Sequence, residues 1–148
     1  MALIWTNDWN IGIDIIDEQH KRIVDYINAL ENANMSTTGK VLQDLVEYTE
    51  SHFAFEESLL VEAGYEFAGP HKATHANFIK RLNSYQADHE RGEDVAAKLY
   101  AMLGTWLLHH IKRDDVAYVD AVQDNLQRIV TNKQEDGWLK RSLKVFFG

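Results

Sequence analysis

Residues 52–57, His52-Phe53-Ala54-Phe55-Glu56-Glu57, decide the fold, because they place a histidine and a carboxylate where the interior must lie. Residues spaced three and four apart through this stretch share one face of an α-helix. That face consists of Leu42, Leu45, Thr49, His52, Glu56, Leu59 and Ala63. A buried carboxylate without a partner is costly. Glu56 therefore needs a proton, a cationic partner or a metal ion.

Length and composition describe one domain and exclude several kinds of site. The chain has 148 residues, of which 45% are hydrophobic, which suits one ordinary globular domain. It has no cysteine, so thiolate and disulfide chemistry is excluded and any metal must be held by nitrogen and oxygen. The net charge of -8 argues against binding nucleic acid. No signal peptide and no bilayer-spanning run is recognisable, so we expect a soluble, cytoplasmic protein.

An N-terminal arm precedes the first helix. Residues 1–16 hold many large apolar side chains but no helical period, so we expect an ordered arm packed over the domain. From Asp17, the expected N-cap, the spacing becomes helical, and Glu18 lies favourably in the first turn. The predicted inward face of this helix consists of Ile16, His20, Ile23, Ile27 and Leu30.

Turn residues separate the second and third helices. The second follows a loop over residues 32–39, whose candidate caps are Ser36, Thr37 and Thr38. It is expected to end near Ala63, and residues 64–69 break the pattern. Pro70 suits the first turn of the third helix, because its missing N–H would have no partner there. The inward face of that helix reads His71, His75, Phe78, Leu82, Tyr85 and His89, and Arg91-Gly92 ends it.

The fourth helix carries an irregularity. Its inward face reads Val95, Leu99, Leu103, Trp106 and His110, and later apolar positions extrapolate back to Asp115; these are Val119, Val122, Leu126 and Ile129. The step from His110 to Asp115 is five residues instead of three or four, which indicates a π-bulge or a local break that lets both point inward. The whole pattern predicts an all-α, up-down-up-down four-helix bundle with an N-terminal arm and a short C-terminal amphipathic extension.

The four predicted helices bring seven polar side chains into one interior: His20, His52, Glu56, His71, His75, His110 and Asp115. A single histidine on an apolar face is usually a hydrogen-bonded structural residue. Here, however, all seven would need separate partners, and the inward faces carry no Lys or Arg. A metal site explains them more simply. Two six-coordinate ions that share both carboxylates and an oxo or hydroxo group would keep one open position. Iron, manganese, zinc and cobalt all suit such donors.

Four motifs of the chain resemble those of bacterial hemerythrins in order and spacing. They are Asp17-Glu18-Gln19-His20-Lys21, His52-Phe53-x-x-Glu56-Glu57, His71-x-x-x-His75 and Trp106-Leu107-x-x-His110-Ile111-x-x-x-Asp115. The segment Trp5 to Gly12 also matches, and the resemblance covers about residues 4–130. It implies an oxo- or hydroxo-bridged di-iron centre that binds O2 reversibly. By this analogy His71, His75 and His110 hold one iron, His20 and His52 hold the other, and Glu56 and Asp115 bridge them.

Several neighbouring residues compete with these assignments. The extrapolated inward face and the hemerythrin pattern both select His110 over His109 and Asp115 over Asp114. Only Glu56, and not Glu57, lies four residues from His52. His89 is expected at the surface or at a helix end. The O2 pocket is expected to be lined by Ile23, Phe55, Phe78, Trp106 and Ile111.

The chain is expected to divide into a hemerythrin-like bundle with its arm, residues 1–131, and a basic amphipathic tail, residues 132–148. In residues 138–147 large apolar side chains alternate with Lys140, Arg141 and Lys144. Three readings of this segment stay open. It could dock on the bundle's own surface, bind a partner protein or bind a membrane surface.

The resemblance favours a binding protein, for O2 carriage, storage or delivery, over an enzyme. Ferritin-like di-iron oxidases supply ligands through Glu-x-x-His motifs, and no Glu of this chain has His three residues later. That argues against an oxidase or peroxidase. A sensor of O2, redox state or nitric oxide that acts through a separate partner stays open, as does a role in iron sequestration.

Overall fold

A computed structural model describes residues 2–131 of the chain. A short 3-10 turn, Asn7–Trp9, is followed by helices α1 (Asp14–Glu31), α2 (Thr38–Glu62), α3 (Ala68–Glu90) and α4 (Ala96–His109). A π-helical segment, His110–Asp115, and a 3-10 turn, Val116–Tyr118, lead into α5, Val119–Thr131. The backbone stays helical from α4 through α5, so the described chain is a four-helix bundle, as predicted. The tail, residues 132–148, and the predicted inward position of Ile129 lie outside what is described.

The N-terminal arm is fastened to α1. The backbone N–H of Leu3 donates to Asn28 Oδ1 and the Asn28 side-chain amide donates to the carbonyl of Leu3, both at 2.8 Å. Leu3, Trp5 and Trp9 pack against the core. The expectation of an ordered arm is therefore confirmed.

Helix α1 begins at Asp14, so the prediction of Asp17 as its N-cap is wrong. Asp17 is buried in the first turn, and its two carboxylate oxygens accept the backbone N–H groups of Ile11 at 2.8 Å and Gly12 at 3.2 Å. The carboxylate thus binds the arm instead of capping the helix, and its charge still suits the helix N-terminus. The predicted inward residues of α1 are all buried.

Helix α2 begins at Thr38, so Thr37, one of the three predicted caps, is the N-cap residue, although its side chain forms no cap hydrogen bond. Instead Asn34 organises the turn, because its Oδ1 accepts the backbone N–H groups of Ser36 at 2.9 Å and Thr37 at 3.1 Å. Helix α3 begins at Ala68, so Pro70 lies in its first turn as expected. It ends at Glu90, before Gly92, whose φ of 91° few other residues adopt.

The irregularity predicted in the fourth helix is confirmed as the π-helical segment His110–Asp115. His110, Ile111 and Asp115 are buried within it, and Val122 continues the inward face in α5. Helix α1 packs against α2 and α4, and α2 packs against α3 and α5, so every helix adds side chains to one core. No helix among residues 2–131 is long and apolar enough to cross a membrane.

Candidate metal centre

The structure brings all seven predicted donor residues together in the bundle core. His20 comes from α1, His52 and Glu56 from α2, His71 and His75 from α3, and His110 and Asp115 from the two ends of the π-helical segment. None of them is more than 5% exposed. Ionisable residues are rarely buried so completely unless they are paired or bind a metal.

Five of these residues form one group of donor atoms. The Nε2 atoms of His71 and His75 lie 2.6 Å and 3.1 Å from Glu56 Oε1. His110 Nε2 lies 3.1 Å from Asp115 Oδ1, and His71 Nε2 lies 3.3 Å from the same oxygen. The five donor atoms are all within 4.8 Å of one another. This group, which we call the three-histidine group, offers three nitrogens and two carboxylate oxygens.

The remaining two histidines face the other oxygen of each carboxylate. His52 Nε2 lies 3.4 Å from Glu56 Oε2, and His20 Nε2 lies 3.1 Å from Asp115 Oδ2. We call His20 and His52 the two-histidine group. Glu56 and Asp115 therefore each present one oxygen to each group, which is the arrangement two carboxylates need to bridge two ions.

The outer nitrogens of three rings have acceptors of their own. His52 Nδ1 donates to Gln19 Oε1 at 2.5 Å, His75 Nδ1 to Glu57 Oε2 at 3.0 Å, and His110 Nδ1 to Asp114 Oδ2 at 2.9 Å. These bonds keep the proton of a neutral ring on Nδ1 and direct the Nε2 lone pair inward. Such outer acceptors are typical of metal-binding histidines.

The donor set fits a bound cation. His75 Nε2 and His110 Nε2 are 3.0 Å apart, so two neutral rings would direct lone pairs at each other unless a proton or a metal ion lay between them. Both oxygens of Asp115 and both nitrogens of His20 are buried, and among residues 2–131 none of them forms a hydrogen bond of good geometry, although His20 Nε2 lies only 3.1 Å from Asp115 Oδ2. Nitrogen and oxygen donors of this kind suit first-row metals, including iron.

Electrostatics in the core favour a charged Glu56 and a protonated His71. Burial would raise the pKa of Glu56, but hydrogen bonds from His52, His71 and His75 hold it well below its usual value. Burial would lower the pKa of His71, but Asp115 and Glu56 raise it to about 10. Burial lowers the pKa of His52. A metal ion bound to His71 would therefore have to displace a proton from this ring.

The sequence did not predict that four further residues contact the donor side chains. These residues are Gln19, Glu57, Asp114 and Tyr118. Glu57 and Asp114 were considered only as rival ligands, although each adjoins one of the two buried carboxylates and so could have been recognised as an outer acceptor. Tyr118 Oη donates to Glu56 Oε2 at 3.0 Å, and burial raises the pKa of this phenol well above its usual value. Nothing in the local sequence signals that contact.

A small cavity adjoins the two-histidine group. It is lined by His20, Ile23, Ile27, Thr49, His52, Phe53, Phe78, Leu103, Trp106, Leu107 and His110. The volume open to the centre of a water-sized molecule is about 10 Å³, roughly what one water needs. Of the expected pocket residues, Ile23, Phe78 and Trp106 line this cavity. Phe55 and Ile111 are buried in the core away from its wall.

Aromatic rings fix the histidines beside this cavity. Trp106 stacks on His110 with ring centroids 4.5 Å apart. Phe78 stacks on Trp106, with ring centroids 3.7 Å apart. Phe53 stacks on His75 at 3.6 Å. By contrast, His89 lies half-buried in the last turn of α3, outside both donor groups, and His109 is exposed.

Comparison with known proteins agrees with this geometry. The family model described as the hemerythrin HHE cation binding domain matches residues 11–122. Bacteriohemerythrin of Pseudomonas paraeruginosa and that of Stenotrophomonas maltophilia are each 47% identical to the chain, over 99% of its length and 98% of theirs. A crystal structure of wild-type hemerythrin, 28% identical, matches with a TM-score of 0.77 and covers 82% of this chain and 98% of that one.

Proposed function

The chain belongs to the hemerythrin family, and we propose that it binds O2 reversibly at a non-haem di-iron centre, for carriage, storage or delivery. When bound, two iron ions supply a redox-active pair that can lend electrons to O2 and take them back. The observation that carries the proposal is the sharing of Glu56 and Asp115 between a three-histidine and a two-histidine group, with a small cavity beside the latter.

The proposed ligand assignment follows from these contacts. His71, His75 and His110 would hold one iron, His20 and His52 the other, and Glu56 and Asp115 would bridge them. The two-histidine group would supply one nitrogen fewer, so a small molecule would bind on its side. The cavity lies there as well, since both His20 and His52 line it.

The apolar wall of the cavity supports reversible binding of O2, in which the metal site is not oxidised when O2 leaves. Phe53, Phe78 and Trp106 line it, and at about 10 Å³ it has room for one small molecule. Superoxide is an anion that water stabilises, so a dry cavity disfavours its escape and with it the oxidation of the site. The same restriction leaves no space for a second substrate, which supports a binding protein over an enzyme.

Two finer proposals rest on the sequence alone. We place the protein in the cytoplasm, and we propose that residues 138–147, which lie outside the described part of the chain, contact a partner protein or a membrane surface. Fractionation of cells tests the first. Partition onto anionic vesicles, with and without residues 132–148, tests the second; equal partition would exclude the membrane.

Visible absorption tests the O2 proposal directly. The iron-loaded, dithionite-reduced protein is recorded without air, then in air, then after purging with argon. We expect a nearly colourless protein that gains charge-transfer bands in air and loses them on purging. Rapid, irreversible conversion to the oxidised form in air would contradict reversible binding and favour an oxidase or a redox sensor.

A further inference from the structure

Thr49 carries a buried hydroxyl that the described fold leaves unpaired. It lies on the inward face of α2, one turn before His52, and is 2% exposed. Its Oγ1 has no hydrogen-bond partner among residues 2–131. A buried hydroxyl without a partner is destabilising, so such a group needs an explanation.

Three other hydroxyls on α2 and α3 bond to a backbone carbonyl one turn earlier in the chain. Thr38 Oγ1 donates to the carbonyl of Asn34 at 2.7 Å, Ser58 Oγ to that of Ala54 at 3.0 Å, and Thr74 Oγ1 to that of Pro70 at 3.2 Å. Each acceptor lies four residues back, as is usual for such bonds. The equivalent acceptor for Thr49 is the carbonyl of Leu45, and no such bond forms. Its hydroxyl therefore remains available to another partner.

The space beside Thr49 is the cavity of the two-histidine group. Thr49 lines that cavity together with His20 and His52, and it is the only lining residue with a hydroxyl. Most other lining side chains are aliphatic or aromatic. In such a wall a single donor acts at low local dielectric, where a hydrogen bond is stronger than in water. The cavity has room for one molecule of about the size of water.

We propose that Thr49 donates a hydrogen bond to the small molecule bound beside the two-histidine group, which is O2 in the reduced protein or a small anion such as azide in the oxidised protein. This inference rests on the proposed function and adds a residue to it. A bound molecule that carries negative charge accepts this hydrogen bond more strongly than an uncharged, apolar molecule does. Thr49 thereby slows release of O2 and favours anionic guests.

The test replaces the hydroxyl without changing the shape of the side chain. Thr49→Val exchanges the hydroxyl for a methyl group, and Thr49→Ser keeps the hydroxyl. In the iron-loaded protein we expect Thr49→Val to release O2 about fivefold faster, as for one lost neutral hydrogen bond. We expect it to bind azide more than about tenfold more weakly, because hydrogen bonds to charged groups are stronger. Thr49→Ser should stay within about twofold of the unchanged protein.

A matched control is Thr38→Val, because Thr38 is equally buried but its hydroxyl is paired. Thermal unfolding of the iron-loaded, ligand-free proteins should show Tm about 4 °C lower for Thr38→Val and no lower for Thr49→Val. A fall of Tm in Thr49→Val would show that its hydroxyl bonds within the protein, and would overturn the proposal.

The remaining outcomes separate this inference from the proposed function. Unchanged azide affinity and O2 release in Thr49→Val would overturn the role of Thr49 while leaving O2 binding intact. Equal losses in Thr49→Val and Thr49→Ser would point to shape instead of the hydroxyl, and would overturn it too. If the unchanged protein shows no reversible O2 binding, the proposed function fails. The azide affinities of the variants then still test whether the Thr49 hydroxyl contacts the bound molecule.

Discussion

Individual side chains outside the donor groups determine how the inward histidines point. A neutral imidazole can offer a lone pair inward only if its other nitrogen carries the proton, and an acceptor on that side stabilises this tautomer. Gln19, Glu57 and Asp114 provide such acceptors for His52, His75 and His110. We therefore expect these contacts to influence metal affinity, although none of the three side chains would be a ligand.

Replacing Asp114 by alanine should weaken metal binding. The change removes the acceptor of His110 Nδ1, so the ring loses its fixed tautomer, and we expect metal affinity to fall about 10- to 100-fold. Competition with a chelator of known affinity measures this. Asp124→Ala, at an exposed position of α5, serves as the control; a loss no larger than that of Asp124→Ala would contradict the role of Asp114.

Metal binding should release protons. Asp115 and Glu56 raise the pKa of His71 to about 10, so near pH 7 its ring is protonated, whereas a bound ion needs its lone pair. Affinity should therefore rise with pH up to about pH 10 and then level off. Calorimetric titration at pH 8 in two buffers of different ionisation enthalpy counts the protons. Identical heats in both buffers would show that no proton leaves.

At the scale of secondary structure, the π-helical segment His110–Asp115 sets the spacing of two donors. In a regular α-helix each residue turns by about 100°, so residues five apart do not share a face. The wider turn brings His110 Nε2 within 3.1 Å of Asp115 Oδ1. Such bulges are frequent at functional sites.

Inserting one alanine after Lys112 should abolish the two-metal site while preserving the helix. Lys112 is exposed, and the insertion would place His110 and Asp115 six residues apart, so that a regular helix would turn them to different sides. We expect unchanged helical circular dichroism and less than one bound metal ion per chain by elemental analysis. Lys112→Ala, which keeps the residue count, should bind two; full metal content in the insertion variant would refute the argument.

At the scale of the whole molecule, the bundle encloses its donor groups in aromatic and aliphatic side chains. Trp106 stacks between Phe78 and His110 and also lines the internal cavity, so it separates that cavity from the outer face of α4. An outer cleft is lined by Trp106 as well, together with Arg81, His109 and Arg113. Trp106 therefore lies between this outer cleft and the internal cavity.

Trp106→Ala should therefore admit water and speed oxidation of the oxygenated protein. Loss of the O2-dependent absorption bands at constant O2 gives the rate, and we expect an increase of about tenfold. Trp106→Phe keeps an aromatic wall and should change the rate much less. A folded Trp106→Ala protein with an unchanged rate would show that Trp106 does not exclude water.

The sequence by itself determined the four helices, their inward faces, the five-residue step and the seven buried polar positions, because helical periodicity is local and is visible as spacing along the chain. Only the tertiary structure decided what depends on distances between helices. Asp17 binds the arm instead of capping α1, since the backbone of Ile11 and Gly12 folds back onto it. Phe53 and Thr49, and not Phe55 and Ile111, line the cavity, because several inward residues compete for one small space and packing selects among them.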